Sequence, residues 1–467
     1  MLERKNEVGV IGLSVMGANL AMNIADHGFN ISVFNRSSEK TDNLKRSYTN
    51  ENLMACYSLT EFVESLSAPR KIILMIEAGN PVDLVIEQLK SFLQPGDIVV
   101  DGGNSFFKDT IRREKYLRES GINFVGMGVS GGEEGARRGP AIMPGGSELA
   151  WKELAPILQK IAAKDFGGNP CVAHIGPDGA GHYVKMVHNG IEYIDMQLIA
   201  ETYWLMKNVM GLDNEAMAAQ FEIWNQGRLN SFLIEITVKI LRKKDESGVY
   251  VIDTVLDSAG NKGTGKWTSI ESLNLGTPSF GFVGAVLARY VSAYKERRLA
   301  ISSQYENGEK TESSQIDFEQ LESALYVAKV LAYAQGYELL SFAGKEYGWD
   351  LNFSQISSLW QGGCIIRAKF LQKIAQVLTK SGADKNLMET DYFRDILQYE
   401  SGNLRKVIIS AIQAQIPMAA MISGLVYFDS MKSDRLPANL LQAQRDFFGA
   451  HTFQAKINGP FIHYQWE

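Results

Sequence analysis

One stretch of this 467-residue chain carries enough varied chemistry to start from: AGHYVKMVHNGIEYIDMQLIAE, helical by pattern and beginning near Gly181. Helical spacing sets Lys185, His188, Asn189, Glu192 and Tyr193 at i, i+3, i+4, i+7 and i+8, on one face, with Met186, Val187, Ile191 and Ile194 largely elsewhere. A solvated stripe is the plain alternative, but such stripes are mixtures of Glu and Lys, whereas this one holds an amine, an imidazole, an amide, a carboxylic acid and a phenol. A lysine near a cofactor and other cations can have its pKa lowered enough to be neutral and act as a base, and a glutamate along the same face can supply the opposite transfer. Those roles suit oxidation of a hydroxyl β to a carboxylate. The resulting β-keto acid loses CO2 once a protonated lysine polarises its ketone, without a metal, and a second acid then protonates the enediol at carbon.

Such a helix needs a partner that binds the oxidant, and the N-terminal sequence reads as one. EVGVIG (7–12) is a buried strand running into GLSVMG, a variant of the glycine-rich dinucleotide turn with Ser14 at its middle position. Gly12 permits the tight turn, Ser14 lets backbone approach a pyrophosphate, and Gly17 allows close helix–strand packing. Leu13, Val15 and Met16 complete a helix N-terminus that offers free N–H donors. After the next strand, where an acid would hold a ribose 2′-hydroxyl, stand Asn35, Arg36 and Ser37. Arg36 can pair with a 2′-phosphate that an acid would repel, which favours NADP over NAD. Further strands at 71–76, 97–103, 122–129 and 141–146 predict a doubly wound, mainly parallel sheet. Its ligands are expected beyond the strand ends, at Ile76, Glu77 and Ala78, at Asn104, and at Ser130, Gly131 and Gly132.

After about residue 178 strand signals nearly vanish and a duplicated helical region follows. VKMVHNGIEY (184–193) aligns with AKVLAYAQGY (328–337), and GLDNEAMAAQFEIWNQG with GWDLNFSQISSLWQGG. The second copy has Ala332, Tyr333 and Gly336 where the first has His188, Asn189 and Glu192, so it is expected to keep mainly packing. The expected organisation is an α/β dinucleotide-binding domain (1–178), an all-α duplicated domain (179–436) and a C-terminal tail (437–467). The net charge of −6 argues against a nucleic-acid surface, so cations for an anionic substrate must be gathered locally. Three scattered cysteines, Cys56, Cys171 and Cys364, indicate neither disulfides nor zinc and read as buried thiols in a reducing compartment. The N-terminus lacks a signal-peptide pattern, and the apolar run Val407 to Phe428, interrupted by Gln413, Gln415 and Pro417, reads as a buried core helix rather than a membrane span. A soluble cytoplasmic protein is expected.

With GLSVMG, FNRS, DGGNSFFKDT, GVSGGEEGARRGP, MPGG, GAGHYVKMVHNGIEY, NKGTGKWT and LPANLLQAQRDFFGAHTF in view, the chain resembles the 6-phosphogluconate dehydrogenase family over essentially its whole length. The resemblance implies an NADP-dependent oxidative decarboxylation in the pentose phosphate pathway. It implies Lys185 as general base and then acid at the substrate C3 oxygen, and Glu192 as the acid that protonates C1 of the enediol. Asn104, Ser130, Gly131, Gly132, His188 and Asn189 would hold the carboxylate and hydroxyl end, and Tyr193, Lys262, Thr264 and Arg289 the phosphate. Arg445 and His451 resemble residues that the family donates across a homodimer interface, Arg445 to the phosphate. One departure is Glu77, on the cofactor-facing turn where many relatives carry Lys or another residue. An acid there weakens NADP or changes selectivity, while the retained Arg36 keeps the expectation at NADP.

Overall fold

The computed structural model describes residues 5–260, 263–305, 316–381 and 385–466, so that Lys262 lies outside the described residues. Short apolar runs form a seven-stranded sheet in the order β3-β2-β1-β4-β5-β6-β7. The strands are β1 (Val8–Ile11), β2 (Ile31–Phe34), β3 (Leu53–Cys56), β4 (Lys71–Leu74), β5 (Ile98–Asp101), β6 (Asn123–Ser130) and β7 (Ala141–Pro144). The first six run parallel. Because β1 lies between β2 and β4, the chain order reverses there and opens a crevice between the turns that follow β1 and β4.

Two details of the sheet differ from the sequence reading. Strand β3 was not expected; it is an edge strand of four residues with only Cys56 buried, too little apolar pattern to stand out. Strand β7 pairs antiparallel with β6. Only the seven-residue helix Gly132–Arg138 joins them, too short for the crossover of a dozen or more residues that a parallel pair requires.

The helical region is organised by two long helices, Ala180–Asn208 (29 residues) and Phe318–Tyr347 (30 residues). Each leads into a shorter helix that starts on a side-chain cap: Asp213 caps Asn214–Gln226, and Asn352 caps Phe353–Leu359. This matches the repeat read from the sequence. Both long helices are buried over most of their lengths, and each fully buried Leu or Ile contributes about 1.5–3 kcal/mol. That apolar anchoring can hold a few charged groups out of water. One buried charge pair joins the helices themselves: Lys329, the repeat counterpart of Lys185, donates to Asp195.

The apolar run at 407–428 is two helices rather than one. Asp391–Gln413 ends before Gln415, which takes φ 58°, and Pro417 precedes a new helix, Ala419–Lys432. The Glu201 carboxylate receives the Ala420 and Met421 amides at 2.8 and 3.0 Å and so caps the new helix. Burial pushes this carboxyl up to about 7 against the pull of those donors and Gln197. No helix among the described residues is long and apolar enough to cross a membrane. Cys56, Cys171 and Cys364 are all free and buried.

Breaking a buried ion pair strands its survivor, so Lys329→Met is expected to cost about 3–5 kcal/mol. The double variant Lys329→Met/Asp195→Asn should recover part of that loss. Urea midpoints of the three proteins test both statements.

Candidate active site

The turn after β1 has the shape a pyrophosphate needs. Gly12 sits at φ 100°, and a Cβ there would meet the Met75 carbonyl oxygen at 2.5 Å; a Cβ on Gly17 would meet the Gly12 oxygen at 1.9 Å. The helix Val15–Asp26 starts at Ser14 with no side-chain cap and no acid in its first turn, leaving its N–H groups available to an anion. Asn35 fixes the turn by accepting from the Leu13 amide at 2.9 Å and donating to the Ser37 carbonyl at 3.1 Å. A cleft of about 580 Å³ is lined by Gly12, Ser14, Asn35, Arg36, Ser37, Ile76 and Glu77. Arg36 is exposed at its rim. Lys40 also lines this cleft and was missed, although a cation four residues after Arg36, at the start of a helix, was a readable signal.

A second cavity, of about 560 Å³, is lined by Ile76, Glu77, Ala78, Asn104 and the aromatic pair Phe106 and Trp267, whose rings lie 5.3 Å apart. Ile76 and Glu77 thus form a wall common to both spaces. The Asn104 turn is held from beneath. Asp101 accepts from the Gly103 amide at 3.0 Å and the Ser105 hydroxyl at 2.6 Å. Arg113, 1% exposed, reaches Asp101 at 3.3 Å, Asp83 at 2.9 Å and the Gly79 carbonyl at 2.8 Å, and so ties the β4 and β5 turns together. The sequence reading missed Arg113, though it falls on the buried face of its helix with Phe107, Thr110 and Leu117.

The face of Ala180–Asn208 is largely interior: Lys185, His188 and Asn189 are 6%, 0% and 8% exposed, while the Glu192 side chain is 20% exposed. Its N-terminal end lies close against the sheet, since a Cβ on Gly128 of β6 would meet the Lys185 Cβ at 2.4 Å. Lys185 Nζ donates to Asn189 Oδ1 at 2.6 Å and lies 3.4 Å from His188 Nδ1. His188 Nδ1 is 3.0 Å from Asn189 Oδ1 and 3.8 Å from Glu192 Oε2, and its Nε2 is 3.2 Å from Ser130 Oγ. An imidazole that donates from Nδ1 to Asn189 and accepts the Ser130 hydroxyl at Nε2 satisfies this geometry in the neutral form. Asn189 continues to the Thr264 hydroxyl at 3.2 Å.

Burial dominates the electrostatics of this group. It lowers the proton affinity of Lys185, which Glu192 partly restores. Burial, together with the Lys185 charge, holds His188 well below the ordinary histidine range. Glu192 is pushed up by burial, against the pull of Lys185 and Arg289. The arrangement therefore offers an amine inclined to be neutral beside a carboxyl inclined to keep its proton, the pairing an acid–base relay requires.

Tyr193 lies under the Arg289 guanidinium, 3.5 Å from ring centre to cation, at the far end of the same face. Thr264, buried, opens the helix Thr264–Asn274. Gly131 and Gly132 take φ 118° and 61° at the end of β6, and a Cβ on Gly131 would strike the Gly363 carbonyl at 2.5 Å. Gly363 belongs to the second repeat, as does Trp360, whose ring packs edge-on to His188 at 5.7 Å. Nothing local in the sequence linked these residues to a helix some distance back along the chain. Arg445 and His451 stand apart: both are exposed, and among the described residues neither has a hydrogen bond or ion pair to the central helix.

A doubly wound sheet with a phosphate-sized glycine turn, set against a buried lysine–histidine–glutamate helix face, defines a dinucleotide-dependent dehydrogenase. Comparison with known proteins narrows this class. The "NAD binding domain of 6-phosphogluconate dehydrogenase" matches residues 7–176, and "6-phosphogluconate dehydrogenase, C-terminal domain" matches residues 181–466. A decarboxylating 6-phosphogluconate dehydrogenase of Klebsiella pneumoniae is 50% identical over 465 residues, covering 99% of each chain. An NADP(+)-dependent, decarboxylating one of Bacillus subtilis (strain 168) is 48% identical over 466 residues, again covering 99% of each. Among solved structures, Plasmodium falciparum 6-phosphogluconate dehydrogenase, described in its apo form and with NADP+ and 6-phosphogluconate, superposes with a TM-score of 0.94. It is 41% identical and covers 98% of this chain and 100% of its own. The chain belongs to the 6-phosphogluconate dehydrogenase family.

The two shifted groups carry opposite pH signatures. Lys185 binds its proton less tightly when folded, so its burial penalises folding at neutral pH and is relieved as pH rises toward its ordinary 10.5. Glu192 binds its proton more tightly, so its penalty grows above its ordinary 4.5 and is relieved as pH falls toward that value. Lys185→Met and Glu192→Gln should therefore melt no lower than the parent at pH 7. The first difference should narrow toward alkaline pH and the second toward acid pH, as read from thermal midpoints.

Proposed function

We propose that this protein oxidises and decarboxylates 6-phosphogluconate with NADP, forming ribulose 5-phosphate, CO2 and NADPH, the reaction of the oxidative pentose phosphate pathway. The observation that carries this reading is the array of buried Lys185, His188 and Asn189 with half-buried Glu192 beside the sheet's ligand-facing turns, in a chain about half identical to its relatives from end to end. Gly12, Leu13, Ser14, Val15, Met16 and Gly17 would hold the pyrophosphate, and Asn35, Arg36 and Ser37 the 2′-phosphate. Ile76, Glu77, Ala78 and Asn104 would flank the nicotinamide side. The nicotinamide, when bound, supplies a hydride acceptor for the substrate's C3.

Lys185 in its neutral form takes the C3 hydroxyl proton as the ketone forms. The ammonium so made then donates to that ketone oxygen, and the electron pair of the breaking C1–C2 bond flows toward it as CO2 leaves. Protonated Glu192 delivers its proton to the enediol carbon that lost CO2, and Lys185 recovers the enol proton to give the product ketone. His188, Asn189 and Ser130, with Gly131, Gly132 and Asn104, orient the carboxylate and hydroxyls. Tyr193, Lys262, Thr264 and Arg289 receive the phosphate.

The site is completed by a second copy of the chain. The tail helix Ala438–Gly449 and the segment after it expose Leu440, Leu441, Phe447, Phe448, Phe461 and Tyr464, an apolar surface that a homodimer would cover. Arg445 and His451 ride on that tail toward the other copy's phosphate site. Boundaries near 178 and 436 separate the dinucleotide domain, the helical domain and this tail.

Purified protein given 6-phosphogluconate should reduce NADP and release CO2 in equal amounts. Lys185→Met should bind NADP yet lose turnover; an active variant overturns its role. Arg36→Ala should raise KM for NADP by about 10- to 100-fold and leave KM for NAD little changed, the loss of roughly two charge-assisted hydrogen bonds. Unchanged NADP affinity removes Arg36 from the 2′-phosphate site.

A further inference from the structure

The tail is built around a carboxylate. On the helix Ala438–Gly449 one residue is buried, and it is Asp446, 0% exposed. Its Oδ1 accepts from the Thr452 amide and His463 Nδ1, both at 2.9 Å, and its Oδ2 from the Tyr464 amide at 3.1 Å and Trp466 Nε1 at 2.9 Å. These donors come from two segments on either side of the strand pair Phe453–Gln454 and Phe461–Ile462. A stretch of this length cannot enclose an apolar core of its own, and one ionised group gathering four donors does that work instead. Burial pushes the carboxyl up, but His463, Tyr464, Trp466 and Thr452 hold it down to about 2, so it stays charged through the neutral range.

The residues it fixes are those next to the exposed Arg445 and His451. Ala450 and Thr452 take φ 49° and 54°, left-handed conformations that a β-branched threonine adopts only when held, and His451 sits between them. Gln442 bonds the Thr452 carbonyl at 2.6 Å with its amide nitrogen and receives Arg445 at 3.1 Å on its amide oxygen. Arg445 is the immediate neighbour of Asp446 and is joined through Gln442 to the loop that Asp446 pins. His451 rests against the Phe448 ring at 5.9 Å.

We propose that Asp446 is the positioning residue of the tail: its carboxylate locks the 450–452 loop and the 463–466 segment so that Arg445 and His451 are presented, already shaped, to the substrate phosphate of a second copy of this chain. This rests on the reading above that the tail completes the other copy's site. Asp446 touches no substrate; it acts by removing the ordering cost that a loose tail would otherwise meet at each binding event.

The test is steady-state kinetics of the full-length chain with 6-phosphogluconate and, in parallel, with unphosphorylated gluconate. Asp446→Asn should raise KM for 6-phosphogluconate about tenfold or more. It should leave KM for NADP and kcat/KM for gluconate as in the parent. Trp466→Phe, which removes one donor, should raise KM for 6-phosphogluconate by about threefold, and carries the test if Asp446→Asn fails to fold. An unchanged KM, or an equal loss with gluconate and NADP, overturns the proposal, because a general structural role would weaken all three. Arg445→Ala separates the layers. If it raises KM for 6-phosphogluconate while Asp446→Asn does not, positioning by Asp446 is wrong and the shared tail stands. If Arg445→Ala also has no effect, the shared-tail reading itself falls.

Discussion

The polar face at the centre of this molecule depends on the cost of keeping an amine out of water. A lysine that must give up its proton easily has to be desolvated, and a desolvated lysine has to be held by partners or it will swing back to solvent. The chain meets both conditions with a helix enclosed on most of its faces, an amide oxygen 2.6 Å from Nζ, and a β-strand glycine against the lysine's own Cβ. The same enclosure raises the proton affinity of Glu192 and lowers that of His188. One environment thus produces three different protonation habits. What distinguishes the residues is which charged form each must avoid.

The duplication explains how such enclosure is supplied. The second long helix lies along the first and carries apolar or small residues where the first carries reactive ones. Its lysine faces inward to a carboxylate of its partner, whereas Lys185 is held by an amide oxygen. The second copy is not mere filler, however. Trp360 and Gly363 reach back to His188 and Gly131, so the second repeat also shapes the surroundings of the polar face on the first.

The parts that were legible in the sequence are those governed by local period and turn chemistry: the glycine turn after β1, the parallel strands, the single face of five reactive residues and the helical repeat. Strand β3 was hidden because an edge strand with one buried residue has no pattern to read, and the direction of β7 because it depends on the length of a connection. The break at Gln415 was announced by Pro417, yet the apolar composition on both sides outweighed it. Within the site, residue types were readable and burial was not, since a polar helical face looks alike whether water or protein covers it. Arg113 and Asp446 stayed out of sight for a related reason: each organises a turn or loop through distant partners, and neither belongs to a motif that names its task.

The wall of Ile76 and Glu77 has a consequence for how the protein can change over time. Because these residues border both the cleft beside Gly12 and the cavity beside Asn104, any change in their size or charge is felt on both sides. A lineage that alters this turn cannot do so privately, for the same substitution reshapes both spaces. The shapes of the two cavities are then one inherited trait rather than two.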